Sequence, residues 1–149
     1  MTMEQKTPKA PCKEACPAGV DVPRYLRFIA AGRYADALAV IRESIPFPAV
    51  CGYVCPAPCE LKCQLAGAAD APEAIRTLKR FAADQAGREP LAARATPPAG
   101  GKSVAIVGAG PAGLTAAYYR AKAGHRPTVF EALDEAGGPV DVAPDIVAA

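Results

Sequence analysis

A chain of 149 residues can hold one ordinary domain or two small ones. Its 17 basic and 15 acidic residues leave a net charge of only +2 and are scattered, which excludes a nucleic-acid footprint or a membrane anchor built on a basic cluster. The polar opening MTMEQKTPKAP has no secretory apolar segment, and the longest apolar stretch, 103–119, is broken by three glycines and Pro111, so no membrane insertion is expected.

Residues 1–88 read as helical. Asp21 is placed to cap a helix with Pro23 in its first turn, Tyr25, Leu26, Phe28 and Ile29 recur at helical spacing, and Gly32 offers a stop. A second helix is expected over 33–44, with Tyr34, Leu38 and Ile41 on one face, and Ile45-Pro46-Phe47-Pro48 ends it. A third is expected from Asp70, where Asp70 and Glu73 make a D-x-x-E cap and Pro72 lies in the first turn; its buried stripe is Ile75, Leu78 and Phe81. Residues 89–101 carry three prolines and two glycines and read as a linker.

Residues 102–149 open like an α/β unit. Lys102 to Val107 is expected as a buried strand, followed by Gly108-Ala109-Gly110-Pro111-Ala112-Gly113 at the start of an apolar helix running through Ala123. In such a turn Gly108 permits the tight bend, Gly110 lets backbone approach a pyrophosphate, and Gly113 allows close helix-on-strand packing. The helix N-terminus, with Pro111 and Ala112 in its first turn, favours phosphate. Gly124 closes the helix, and a second strand over 127–130 ends in Glu131, an acid placed to accept from ribose hydroxyls. Strand, turn, helix, strand and acid come in the required order, so the unit is a candidate dinucleotide site, for FAD or NAD alike. Gly101-Lys102-Ser103 resembles the end of a phosphate-binding P-loop, but Thr96 stands where its leading glycine should be and a strand follows it. His125 is expected as a solvated loop residue.

All six cysteines lie in the first 63 residues: Cys12 and Cys16, then Cys51, Cys55, Cys59 and Cys63, each separated from the next by three intervening residues. With no export signal, the thiols are expected in a reducing, cytoplasmic setting and as metal ligands rather than disulfides. Zinc commonly uses C-x2-C pairs or histidine, and neither is present near these residues. A cysteine-only set punctuated by Cys-Pro suits a 4Fe–4S cluster better, with zinc the alternative. The helical part has few large apolar residues, so its folding is expected to lean on the metal; structural zinc contributes on the order of 10 kcal/mol in small peptides.

The strings Pro11-Cys12-x3-Cys16-Pro17-Ala18-Gly19-Val20-Asp21-Val22-Pro23 and Val50-Cys51-Gly52-Tyr53-Val54-Cys55-Pro56, continuing through Cys59 and Glu60 to Cys63, resemble an N-terminal iron–sulfur domain. It is the one shared by the glutamate synthase small subunit and dihydropyrimidine dehydrogenase. Ala74 to Phe81 is similar too. The resemblance implies an electron-transfer domain with 4Fe–4S clusters beside a flavin, so FAD is the favoured dinucleotide and Gly138, with Gly137, is expected near it. It also implies Cys12 and Cys63 for one cluster and Cys16, Cys55 and Cys59 for another, the latter completed by a Gln or Glu where this chain has Lys79. The family's preceding C-x2-C pair has no counterpart in Met1 to Pro11. Six cysteines cannot furnish two cubanes, and one cluster held by four of Cys12, Cys16, Cys55, Cys59 and Cys63 is expected, with Cys51 a small packing residue.

The implied fold is an α-helical iron–sulfur domain over 1–88, a linker over 89–101, and an incomplete Rossmann-like βαβ unit over 102–149. Family members continue much further, so the second unit is expected to be a remnant or to be completed by a partner, and to retain flavin weakly alone. The implied function is an NAD(P)H-dependent oxidoreductase subunit or fragment relaying electrons from FAD to a redox partner subunit. The alternative is a non-catalytic iron–sulfur or zinc docking module. No catalytic nucleophile or general base is nominated.

Overall fold

The computed structural model describes residues 9–67, 71–86 and 100–138. The expected Asp70 cap lies outside them, as does most of the linker. Seven α-helices and two strands are present among the described residues.

Helix α1 (Pro11–Ala15) opens on a proline, and the chain turns at Cys16 into α2 (Val22–Ala30). Asp21 caps α2 as expected: its carboxylate accepts from the Arg24 N–H at 3.3 Å and from Lys13 Nζ at 3.0 Å. The Lys13 ammonium holds the Asp21 carboxyl below the usual carboxylate range and ties α1 to α2. Gly32, at φ +69°, ends the turn into α3 (Tyr34–Arg42), slightly shorter than the expected helix. Pro46, Phe47 and Pro48 are buried, and Pro48 starts α4 (Pro48–Val54). A Cys-Pro turn leads to α5 (Pro58–Leu61), and a 3₁₀ turn, Gln64–Gly67, follows.

Helix α6 (Ile75–Ala86) packs against α3 and α4 and departs from its expected stripe. Ile75, Lys79, Ala82, Ala83 and Ala86 are its buried residues; Leu78 is half-buried and Phe81 is 38 % exposed, its ring edge-on to Tyr34 at 5.4 Å. Small side chains let α6 approach its neighbours. The closest approach is at Gly52 of α4, where a Cβ would stand 2.7 Å from Arg80 Cβ.

The core gathers Val20, Val22, Tyr25, Ala37, Val40, Ile41, Ala57, Cys59, Ile75 and Ala82, with Cys12 and Cys16 packed against it. Tyr25 is 1 % exposed, and its hydroxyl donates to the Ile75 carbonyl at 3.0 Å. A buried hydroxyl without such a partner would be costly. This bond therefore fixes α6 against α2.

Strands β1 (Ser103–Val107) and β2 (Arg126–Phe130) pair in parallel, with Ser103 opposite Arg126 and Val107 opposite Phe130. Helix α7 (Pro111–Lys122) makes the crossover and packs on the sheet. The strands alternate exposed and half-buried residues, and Val107 is 89 % exposed. This corrects the expected buried strand: among the described residues α7 covers one face, whereas an apolar parallel strand normally has both covered. His125 is half-buried and Nδ1 accepts from the Lys102 N–H at 3.2 Å, joining the two strand entries.

Two substitutions test this packing. Gly52→Ala is expected to destabilise by about 1–3 kcal/mol through overpacking between α4 and α6. Tyr25→Phe is expected to cost about 1 kcal/mol for the lost hydrogen bond. Thermal or denaturant unfolding of the full chain reads both, and wild-type stability in either variant would contradict the assigned contact.

Candidate metal centre and nucleotide site

Short helices carry the cysteines toward one another. Cys12 and Cys16 stand at the start and end of α1, four residues apart and so on one side of the turn. Cys51 lies within α4, Cys55 ends it, Cys59 lies in α5, and Cys63 follows α5. Helices α1 and α5 are neighbours, which brings stretches 12–16 and 55–63 together.

The turn between Cys55 and Cys59 is unusual. Ala57 sits in the left-handed region at φ +54°, a conformation that disfavours a side chain, and is buried. Its N–H donates to Cys55 Sγ at 3.4 Å, and α5 after the strained turn packs against α1 and α6. A second sulfur is treated likewise: the Glu73 N–H donates to Cys63 Sγ at 3.4 Å. Backbone N–H groups thus point at the sulfurs of both Cys55 and Cys63.

The electrostatic neighbours divide the thiols. Cys12 interacts with Cys63, whereas Cys59 interacts with Cys16 and Cys55. Burial pushes the Cys12 and Cys59 thiols up, and each neighbouring thiolate adds to the rise. Tyr25 stands among Cys59, Cys12 and Cys16; burial above all, then those three sulfurs, raises its hydroxyl far above the ordinary tyrosine range. A bound cation would take the place of the thiol protons.

All six cysteines are free, five half-buried and Cys59 buried. Among the described residues no three cysteine, histidine or carboxylate groups already form a metal cage. The thiols are neighbours around one core rather than a closed tetrahedron. Their chemistry, soft sulfur without nearby histidine, fits an iron–sulfur centre. Cys51 engages a partner within the fold.

The glycine-rich turn has the form its sequence implies. Gly108 has φ +93°, and a Cβ on Gly113 would run into the Gly108 carbonyl oxygen, so helix and strand touch backbone to backbone. A Cβ on Gly110 would meet nothing within 4 Å, leaving room over the backbone there. No side chain caps α7; Pro111 lacks a donor, and the first-turn N–H groups of Ala112 and Gly113 point out of the helix end.

Glu131 does more than end β2. One carboxylate oxygen accepts from the Ala109 N–H at 2.6 Å, the other from Ala132 and Leu133 at 2.8 and 3.1 Å. Those bonds, the Ala109 one first, hold its carboxyl below the ordinary range. The Gly137 N–H donates to the Ala109 carbonyl at 2.8 Å. The Ala109 peptide is thus held on both sides by the segment after β2. Gly137 and Gly138 have φ of +130° and +67°, and a Cβ on Gly138 would lie 3.5 Å from Gly110 Cα. Gly108, Gly110, Pro111, Ala112, Gly113, Glu131 and Gly138 therefore surround one turn. Sequence reasoning had no signal for the double hold on Ala109, because backbone bonds leave no residue signature.

Residues 5–90 match the family described as dihydropyrimidine dehydrogenase domain II, 4Fe-4S cluster, and residues 106–142 match the NAD(P)-binding Rossmann-like domain. The NADP(+)-dependent formate dehydrogenase subunit beta of Moorella thermoacetica is 44 % identical over 151 residues, covering 87 % of this chain and 21 % of that protein. The NADPH-Fe(3+) oxidoreductase subunit beta of Geobacter sulfurreducens is 45 % identical over 130 residues, covering 87 % and 19 %. The glutamate synthase [NADPH] small chain of Mycobacterium tuberculosis is 39 % identical over 129 residues, covering 85 % and 26 %. The chain thus spans about a fifth to a quarter of the length of these relatives. Among the described residues no helix is long and apolar enough to cross a membrane. With the first match taking in more than half of its residues, the chain belongs to that 4Fe-4S family, and a stretch matching the NAD(P)-binding Rossmann-like domain follows it.

Proposed function

We propose that this chain is an electron-relay part of an NAD(P)H-dependent iron–sulfur flavoprotein. Residues 1–88 would hold one 4Fe–4S cluster, 89–101 would act as linker, and 102–149 would bind the FAD dinucleotide. The observation that carries the reading is the gathering of cysteines from two distant stretches around Tyr25, on the same chain as a dinucleotide turn. Cys16, Cys55 and Cys59 form the connected set, and Cys12 or Cys63 supplies the fourth thiolate.

Bound at these places, a cluster supplies one-electron transfer and a flavin links it to two-electron hydride chemistry. The chain's own residues position these groups. The Ala57 and Glu73 N–H groups stabilise sulfur charge, the α7 N-terminus and Gly110 offer a bed for pyrophosphate, and Glu131 has lone pairs left for ribose hydroxyls. The relatives named NADPH-Fe(3+) oxidoreductase subunit beta and glutamate synthase [NADPH] small chain support a redox partner subunit as electron recipient. A docking role is favoured by a separate observation: Tyr53, Val54 and Leu61, beside the cysteines, are 66–83 % exposed. NAD(P)H-driven dye reduction by the chain alone would favour catalysis, and dependence on an added subunit would favour docking.

Anaerobically purified protein is expected to be brown, to bleach with dithionite, and to hold about four irons and four sulfides per chain. Alanine at Cys16, Cys55 or Cys59 removes that absorbance, and Cys51→Ala leaves it. Stoichiometric zinc, or a colour indifferent to all of these substitutions, would contradict the reading.

The Glu131 hold on the turn is also testable. Because its folded-state carboxyl is lowered, these hydrogen bonds contribute fully above the unfolded value near 4.5 and are lost only as pH falls through the folded value. The Ala109 amide resonance should therefore stay constant from neutral pH down to 4.5 and move below it. A midpoint above 4.5 would contradict the sign.

A further inference from the structure

The loop from Cys55 to Cys59 is poor in backbone donors. Between the two cysteines stand Pro56, Ala57 and Pro58, so Ala57 alone carries an N–H there, and it is given to Cys55 Sγ at 3.4 Å. In a turn, the carbonyl of the first residue ordinarily accepts from the N–H three residues on. Three residues after Cys55 comes Pro58, which has none. The loop also contains the left-handed Ala57, at φ +54°, a conformation that persists only where its surroundings hold it.

The hold comes from the start of α6. Arg76 Nη1 donates to the Cys55 carbonyl at 3.1 Å, in place of the donor that Pro58 lacks. The backbone N–H of the same residue donates to Glu60 Oε1 at 2.8 Å, and Glu60 directly follows Cys59. One residue therefore engages the loop at both ends, its guanidinium where the loop opens and its peptide just past the close. Arg76 is itself fixed in place: the preceding Ile75 is buried, and its carbonyl accepts from the Tyr25 hydroxyl at 3.0 Å. The Arg76 side chain is exposed and lies outside the core. Removing its guanidinium leaves the packing of α6 in place and releases the loop.

We propose that Arg76 is the positioning residue of the Cys55 and Cys59 pair. Its guanidinium and its peptide together hold the proline-bounded loop in the shape that offers both sulfurs to one centre. Arg76 is not a ligand, and the inference rests on the iron–sulfur reading above.

The test uses the full chain, anaerobically reconstituted, with iron and sulfide measured per chain and the visible absorbance followed after adding excess chelator. Arg76→Met removes the side-chain donor and leaves the peptide bond to Glu60, whereas Arg76→Lys keeps a charged donor. Arg76→Met is expected to bleach about fivefold faster than wild type, the scale set by losing one such hydrogen bond. Arg76→Lys should stay within about twofold of wild type. An acceleration of less than about twofold in Arg76→Met, or an equal one in Arg76→Lys, overturns the proposal. At the other end of the loop, Glu60→Ala removes the acceptor and should also bleach faster, while Glu60→Gln keeps it and should not. A wild-type rate in Glu60→Ala overturns the two-ended hold. Should Arg76→Met take up no iron, Arg76→Lys decides: uptake there supports the need for the donor, and none there overturns it. Wild-type protein without iron fails the iron–sulfur reading and this inference together, whereas wild-type bleaching in iron-loaded Arg76→Met fails this inference alone.

Discussion

The phenol ring of Tyr25 stands where two parts of the chain have to meet. Cys12 and Cys16 come from one stretch, Cys59 from another more than forty residues on; Cys59 shares the core with that ring, and Cys12 and Cys16 pack against it. Its hydroxyl is spent on the Ile75 carbonyl, which locks the start of α6 against α2. With α6 locked, Glu73 and Arg76 reach Cys63 and Cys55 from the other side. The thiols are gathered by packing and backbone bonds, so the scaffold does part of the ordering a metal would otherwise impose.

Both candidate sites use one electrostatic device. The Glu73 N–H, just ahead of α6, donates to sulfur, and α7 points its N-terminal end at the glycine turn. A helix N-terminus carries partial positive charge and spare N–H groups, and both a thiolate centre and a pyrophosphate are anionic. The two differ in what steadies them. Around the cysteines the support is a buried core, with a strained Ala57 and a buried Lys79 within it. Around the glycines it is the segment from Glu131 to Gly138, which grips the Ala109 peptide from both sides.

How far each site could be read from sequence follows from the range of its interactions. The nucleotide unit is local: Gly108, Gly110, Gly113 and Glu131 follow one another in order, and its helix and strands fall close to their expected places. The cysteine step pointed to a shared centre, but the neighbour relation of Cys59 with Cys16 depends on α1 meeting α5. Helices α1, α4 and α5 have seven residues or fewer, too short for periodicity to reveal them. The α6 stripe was misplaced because Leu78 and Phe81 are larger and more apolar than the residues that face inward. Lys79 and three alanines occupy the interface, where close helix approach favours small side chains. The buried reading of β1 assumed that both faces of an apolar strand are covered, and Val107 shows one face open.

An electron relay in this chain requires sulfur ligands from separate helices to share iron. X-ray absorption at the iron edge of the anaerobic full chain tests this most directly. The expected spectrum has a first shell of sulfur alone and a second shell of iron, as in a cubane. Iron surrounded by oxygen or nitrogen with no iron–iron scattering, or zinc as the metal present, would contradict it.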